Sequence, residues 1–230
     1  MMKYRNNNFA TKSINMLFIF IRVTFLLGVV FSNNLNAENI VNTEAEDEKD
    51  SAMTVVKNTE GSIRQHLSDD YHGQSQLLLD LIEESISPHV DFEGITRLSV
   101  GKYWKELDDS QKQSLVKEVR RMLIRSYISA LASYNGQEIK YLPVEAQSRP
   151  DDALVRTEII GATGKEASVD YRLHNKHGNW KVYDVISDGI SVVMSQRTSF
   201  QVILKLSGVN VLIKELARLN NAEIKIASNL

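Results

Sequence analysis

Between residues 110 and 134, Leu115, Val119, Met122, Leu123, Tyr127, Leu131 and Tyr134 recur every three or four positions. That is the spacing of one face of an α-helix. Asp108 and Asp109 precede this stretch as N-cap candidates, and Asn135-Gly136 ends it. After Gly136 the period falls to two. Ile139, Tyr141 and Pro143 lie in a first strand, and Val155, Thr157 and Ile159 alternate with Arg156 and Glu158 in a second. Ala167, Val169, Tyr171 and Leu173 alternate with Ser168, Asp170 and Arg172 in a third, and a fourth follows over residues 180–186 after a turn at Gly178. Short polar turns between such strands predict an antiparallel meander with one buried face.

The flanks read as helices. Residues 53–67 form an amphipathic stretch, and residues 74–86 carry the apolar run LLLDLI before Pro88. Residues 92–104 read as a helix broken at Gly101. Beyond Asp188-Gly189 comes a helix holding Phe200, Ile203 and Leu204, interrupted at Gly208. A last helix over 211–219 has Asn210 as its cap candidate. Helices, then a four-stranded antiparallel sheet, then helices again predict a single α+β domain. Whether its apolar faces close into a solid core or line a cavity is left open by the pattern.

The first 37 residues differ from the rest. Lys3, Arg5 and Lys12 precede a largely apolar stretch over 14–31, and Ala37 offers a small residue for cleavage. These are the parts of a secretory signal peptide. The uninterrupted apolar run after Arg22 falls short of the about 20 residues that a bilayer span needs, which argues against a membrane anchor. Residues 38–52 are an acidic leader with too little apolar surface to order by itself. The expected organisation is signal peptide 1–37, leader 38–52, folded domain 53–220 and tail 221–230.

Composition narrows the chemistry. The whole chain carries a formal charge of −2, and removal of residues 1–37, which hold four basic and no acidic residues, brings it to −6. Nucleic acid is bound largely through Lys and Arg contacts to phosphate, so no such partner is expected. With no cysteine, an exported chain of this kind has neither disulfides nor thiol chemistry and depends on its core. His174 and His177 lack the further ligands that a metal site needs and read as solvated turn histidines. Asp184 and Asp188, with Tyr183 beside them, could form an acid–base pair in a hydrolase or isomerase. The structural alternative, a turn at Asp188-Gly189 with Asp184 bonding backbone N–H groups, is favoured. Nucleophile-elbow, Walker and dinucleotide-binding glycine patterns are absent from the sequence, and no cofactor is expected.

The stretch GNWKVYDVISDGISVVMSQRTSF contains Trp180, Tyr183, Asp184, Val185, Asp188, Gly189, Ile190, Ser191, Arg197 and Phe200. It resembles the periplasmic phospholipid-binding component of the Mla lipid-transport pathway, the toluene-tolerance family. In that family a Trp-x-x-Tyr-Asp-Val strand runs into a Glu/Asp-Gly-Val/Ile-Ser turn. Pro88, Val90 and Asp91, then Gly101, Tyr103 and Trp104, then Tyr127, Leu131, Tyr134 and Gly136 resemble further elements of the family in the same order. Val100 replaces a usual leucine, and Leu115 and Val119 stand where phenylalanines are common.

The resemblance implies a periplasmic, non-enzymatic carrier whose curved sheet and helices enclose an apolar cavity for phospholipid acyl chains. It implies two membrane partners: an inner-membrane ABC transporter complex with an MCE-type protein, and an outer-membrane lipoprotein–porin complex. The expected lining is Val155, Thr157, Ile159, Val169, Tyr171 and Leu173 from the second and third strands, with Ile124, Tyr127, Ile128 and Leu131 from the long helix. Val182, Ile186, Ile190 and Val193 would close it. No charged cage for a headgroup is evident, so the headgroup is expected at the solvent-facing mouth.

Overall fold

The structure, a computed structural model, describes residues 52–62, 80, 82–131 and 136–227. The expected signal peptide and the leader up to residue 51 lie outside the described residues, as does most of the helix expected over 74–86. No helix among the described residues is long and apolar enough to cross a membrane.

Residues 52–62 form α1, and residues 82–85 are helical up to a 3-10 turn at Ser87–His89. α2 is Phe92–Val100, started by Asp91, whose Oδ1 accepts from Gly94 N at 2.9 Å. A 3-10 segment, Gly101–Glu106, follows, as the break at Gly101 predicts. α3 spans Asp109–Leu131 and opens with reciprocal bonds: Gln111 N donates to Asp108 Oδ1 at 2.8 Å, and Asp108 N donates to Gln111 Oε1 at 3.1 Å. After the sheet come α4, Val192–Ser207, and α5, Val209–Ala227. α5 is longer at both ends than the 211–219 helix of the sequence pattern. Asn210 lies inside it, and its Oδ1 accepts from Gln111 Nε2 instead of capping.

The strands are β1 (Glu138–Tyr141), β2 (Glu145–Ala146), β3 (Asp152–Gly161), β4 (Gly164–Lys176), β5 (Asn179–Ser187) and β6 (Ile190–Ser191). They form one antiparallel sheet in the order β1-β3-β4-β5-β6, with β2 also on β3. The four expected strands are its body. β2 and β6, each of two residues, are too short for any periodicity to announce. Of the three hairpins that close through two-residue turns, two carry glycine second: His177-Gly178 between β4 and β5, and Asp188-Gly189 between β5 and β6. All four turn residues have positive φ, the geometry that matches strand twist.

The buried apolar side chains divide into two clusters. One is helical and joins Ile95, Val100, Leu115, Val119, Met122, Phe200, Ile203, Leu212 and Leu216 from α2 to α5. The other joins Ala52 and Val56 of α1 to Ala153, Val155, Leu173 and Trp180 of the sheet. The period-3.6 stripes read from the sequence supply the first and the period-2 strands supply the second.

Gly101 ends α2 at φ +60°, ψ −126°, and a Cβ there would lie 3.0 Å from the Arg197 guanidinium. Gly101→Ala is therefore expected to cost about 1–3 kcal/mol, the range for a side chain forced into a glycine-only conformation. Thermal unfolding reads this directly, and an unchanged midpoint would refute it.

Candidate functional site

The inner face of the sheet is set by register. Thr157 pairs with Val169, Val155 with Tyr171, Ala153 with Leu173 and Ile159 with Ala167. Tyr171 pairs in turn with Val185, and Leu173 with Val182. β1 adds Ile139 and Tyr141 opposite Ile159 and Thr157. Successive side chains alternate across a strand, so all of these share one face. Arg156, Glu158, Asp170 and Arg172 occupy the other.

α1 covers one end of the inner face. Met53, Val55 and Val56 pack with Ala153, Val155, Leu173 and Trp180, and Glu60 anchors the helix. Tyr171 Oη donates to Glu60 Oε1 at 2.6 Å, and Tyr141 Oη donates to Glu60 Oε2. Burial pushes the Tyr171 and Tyr127 hydroxyls above the usual tyrosine range, and the Glu60 carboxylate adds to both shifts. Tyr127 also acts on Tyr171, so the C-terminal half of α3 looks onto the same region. Ile124 is buried, while Tyr127, Ile128, Ile159 and Val169 are half-buried. None of the five belongs to either apolar cluster. The two compact clusters therefore leave these apolar side chains of α3 and the inner sheet face unabsorbed.

Of the fourteen residues expected to line a cavity, eleven lie on the inner sheet face or on α3. Val155, Thr157, Ile159, Val169, Tyr171, Leu173 and Val182 lie on the inner face. Ile124, Tyr127, Ile128 and Leu131 lie on α3. The hydroxyl of Thr157 is occupied, donating to Val169 O at 2.7 Å.

Three residues fall elsewhere. A bulge at Arg172/Leu173 shifts the β4–β5 register, so Trp180 and Val182 face inward before it and Val185 and Ser187 after it. Ile186, opposite Asp170, is turned to the other face. Val193 is part of the helical cluster, and Ile190 is 46% exposed at the end of the sheet. Glu60 was missed altogether. Its partners Tyr141 and Tyr171 lie 81 and 111 residues away, beyond any local pattern.

The other candidates have structural partners. Asp184 is 3% exposed. It accepts from Ser191 Oγ at 2.6 Å and Val193 N at 3.1 Å, and lies 3.3 Å from Arg172. Asp188 accepts from Ser168 N at 2.8 Å. His174 is not the solvated turn residue expected. Its ring stacks on Tyr183 with centroids 5.2 Å apart, and Nε2 lies 3.0 Å from Asp91 Oδ2, close but not aligned as a hydrogen bond. Burial and neighbouring Lys176 hold its pKa below the usual histidine value, against the pull of Asp91. Among the described residues no group of three or more His, Asp and Glu could hold a metal ion.

Asp91 itself receives Lys176 Nζ at 2.8 Å. Burial pushes its carboxyl up, but Lys176, the Gly94 N–H and the His174 field together hold it below its ordinary 3.8. A depressed folded value stabilises the fold above the unfolded pKa, and that contribution disappears as pH falls through the folded value. Asp91→Asn keeps a capping oxygen and loses the charge. It is expected to cost on the order of 1 kcal/mol near neutrality, since Lys176 is half exposed. The gap should close as pH drops below the ordinary carboxylate range. Urea titrations at a series of pH values test this, and a pH-independent gap would contradict it.

The model of the MlaC protein family matches residues 53–218, which contain the inner face of the sheet, α1 from Met53 and most of the helical layer. The chain belongs to the MlaC family. Among its relatives is the intermembrane phospholipid transport system binding protein MlaC of Haemophilus influenzae, 27% identical over 145 residues. Another is the toluene tolerance protein ttg2D of Pseudomonas putida, 29% identical over 141 residues. The matches span 60% and 61% of this chain and 66% and 65% of those relatives. A solved structure, the phospholipid-binding protein of Ralstonia solanacearum in complex with a phospholipid, superposes with a TM-score of 0.67 at 27% identity. It covers 76% of this chain and 97% of its own.

Proposed function

We propose that this MlaC-family protein is a periplasmic carrier that holds phospholipid acyl chains between the inner face of its sheet and α3. The observation carrying the reading is the divided core. Ile124, Tyr127 and Ile128 on α3 and Ile159 and Val169 on the inner sheet face join neither compact cluster. The Ralstonia relative, alike in fold and sequence, is described with a phospholipid bound. Burying one methylene is worth about 0.8 kcal/mol. Two long acyl chains thus represent on the order of 20 kcal/mol, too much for a lipid monomer to cross water at a useful rate. A protein cavity that replaces bilayer with apolar side chains makes transfer nearly isoenergetic, so loading and unloading stay reversible.

No bond is made or broken in such a task. In keeping with it, Asp184 and Asp188 are engaged in holding the fold. The donor and acceptor of the lipid would be complexes of the two membranes, an inner-membrane ABC transporter with its MCE-type protein and an outer-membrane lipoprotein–porin complex. The N-terminal 37 residues would serve for export as a cleaved signal.

Organic extraction of the purified full chain followed by mass spectrometry tests the reading. Phospholipid is expected in the extract. Its absence, together with no uptake on incubation with phospholipid vesicles, would refute the carrier.

A further inference from the structure

A surface helix ordinarily carries polar and charged residues opposite the stripe it buries. α4 departs from this. Its buried side is Val193, Gln196, Phe200, Ile203 and Leu204. On the opposite side Met194, Thr198, Val202 and Leu206 follow one another at four-residue spacing, and all four are exposed. Met194 is 54%, Val202 42% and Leu206 76% exposed, and neither apolar cluster contains them. They form a convex ridge about 18 Å long at 1.5 Å of rise per residue.

The polar groups around the ridge indicate what it fits. Three hydroxyls lie on or beside it, and each turns back onto its own helix. Ser195 Oγ donates to Ser191 O at 2.9 Å, Thr198 Oγ1 to Met194 O at 3.0 Å and Ser199 Oγ to Ser195 O at 3.2 Å. Hydroxyls satisfied within the helix enter an apolar phase at little cost. A protein partner would instead draw on such groups, at about one hydrogen bond per 100–200 Å2 of interface.

The charges agree. α4 contains no Asp or Glu, and its charged residues are Arg197 and Lys205. Lys205 is exposed on the ridge side next to Leu206, and half-buried Arg197 lies one turn beyond Met194 on its flank. Among the described residues no ion pair engages either of them. Long basic side chains lay their stems on apolar surface and keep the charge among polar groups. The chain as a whole is net negative, so a face without carboxylates is the one that an anionic surface accepts.

We propose that the outward face of α4 docks on an anionic lipid surface. Met194, Val202 and Leu206 reach the boundary of headgroups and acyl chains, and Lys205 and Arg197 meet the lipid phosphates. Three aliphatic side chains and two cations make a weak, reversible contact. It is separate from any lipid held inside the protein and stands whether or not the carrier reading holds.

The protein as exported is sedimented with vesicles of dioleoyl phosphatidylcholine, alone or equimolar with dioleoyl phosphatidylglycerol, and protein in the pellet is measured. Lipid taken up by unbound protein stays in the supernatant and is scored apart, so failure of the carrier and failure of the docking face are read separately. The wild type should partition onto the anionic vesicles about tenfold more strongly, and high salt should remove the difference. Leu206→Ser should weaken that partitioning about tenfold. Lys205→Gln should weaken it about fivefold and flatten the salt dependence. Both positions are exposed, so the thermal midpoint should not move. Wild-type binding that is absent, equal on the two vesicles, or unmoved in both variants overturns the proposal. A dimer in sedimentation velocity that Leu206→Ser dissolves, with no protein on vesicles, also overturns it and gives the ridge to a second copy of the chain.

Discussion

Asp184→Ala is expected to lower stability by about 2–4 kcal/mol, the cost of stranding one buried and one part-buried hydrogen-bond donor. The carboxylate joins β5 to the start of α4. Oδ2 accepts from Ser191 Oγ and Oδ1 from Val193 N, and Ser191 Oγ in turn accepts from Met194 N at 3.0 Å as the cap of α4. Arg172 is 47% exposed and is solvated when Asp184 is lost, so the two stranded donors carry the cost and not an uncompensated charge. Asp184→Asn, which keeps one carbonyl acceptor, should fall between alanine and wild type. Urea unfolding monitored by circular dichroism measures both. A catalytic Asp184 would give the opposite pattern, in which asparagine leaves stability intact and abolishes turnover of an ester.

The second large effect concerns loading. On the carrier reading, Val169→Glu places an ionised carboxylate beside acyl chains, where it is strongly disfavoured. Co-purifying phospholipid is expected to fall by at least about tenfold, a penalty of only about 1.4 kcal/mol. Val169 is half-buried and outside both compact clusters, so the variant should still unfold cooperatively. Val155→Glu is the contrast. Val155 is 0% exposed inside the α1–sheet cluster, and a carboxylate there should compromise folding itself. Equal lipid in Val169→Glu and wild type would remove the inner face of β4 from the binding surface.

What was legible in the sequence follows from the reach of each signal. The 3.6 period of α3 and the alternation of β3 and β4 repeat over ten or more residues, long enough to fix element and face together. Eleven of the fourteen expected lining residues come from such stretches or from β5 before its bulge. Parity fails at the bulge, because one inserted residue reverses every later side chain, and Tyr183, Val185 and Ile186 are apolar enough on both faces to hide it. Ile190 and Val193 were misplaced for a different reason. Their position depends on the Asp188-Gly189 turn and on the way α4 leaves β6, which is tertiary geometry. Glu60 joins segments distant in sequence, so no window along the chain contains it together with its tyrosine partners.

The margins of the sheet have a bearing on how such a protein persists in a crowded compartment. An open strand edge offers a row of unpaired backbone groups to any neighbouring copy. Here the β5 margin is met by a bridge from Val90 to Val182 at one end and by β6 at the other. The opposite margin is divided into β1 and β2, with Pro143 between them, a residue that cannot donate to an added strand. Neither border presents a long straight template for stacking. Self-association into fibrils is thereby discouraged in a chain whose sheet carries one apolar face.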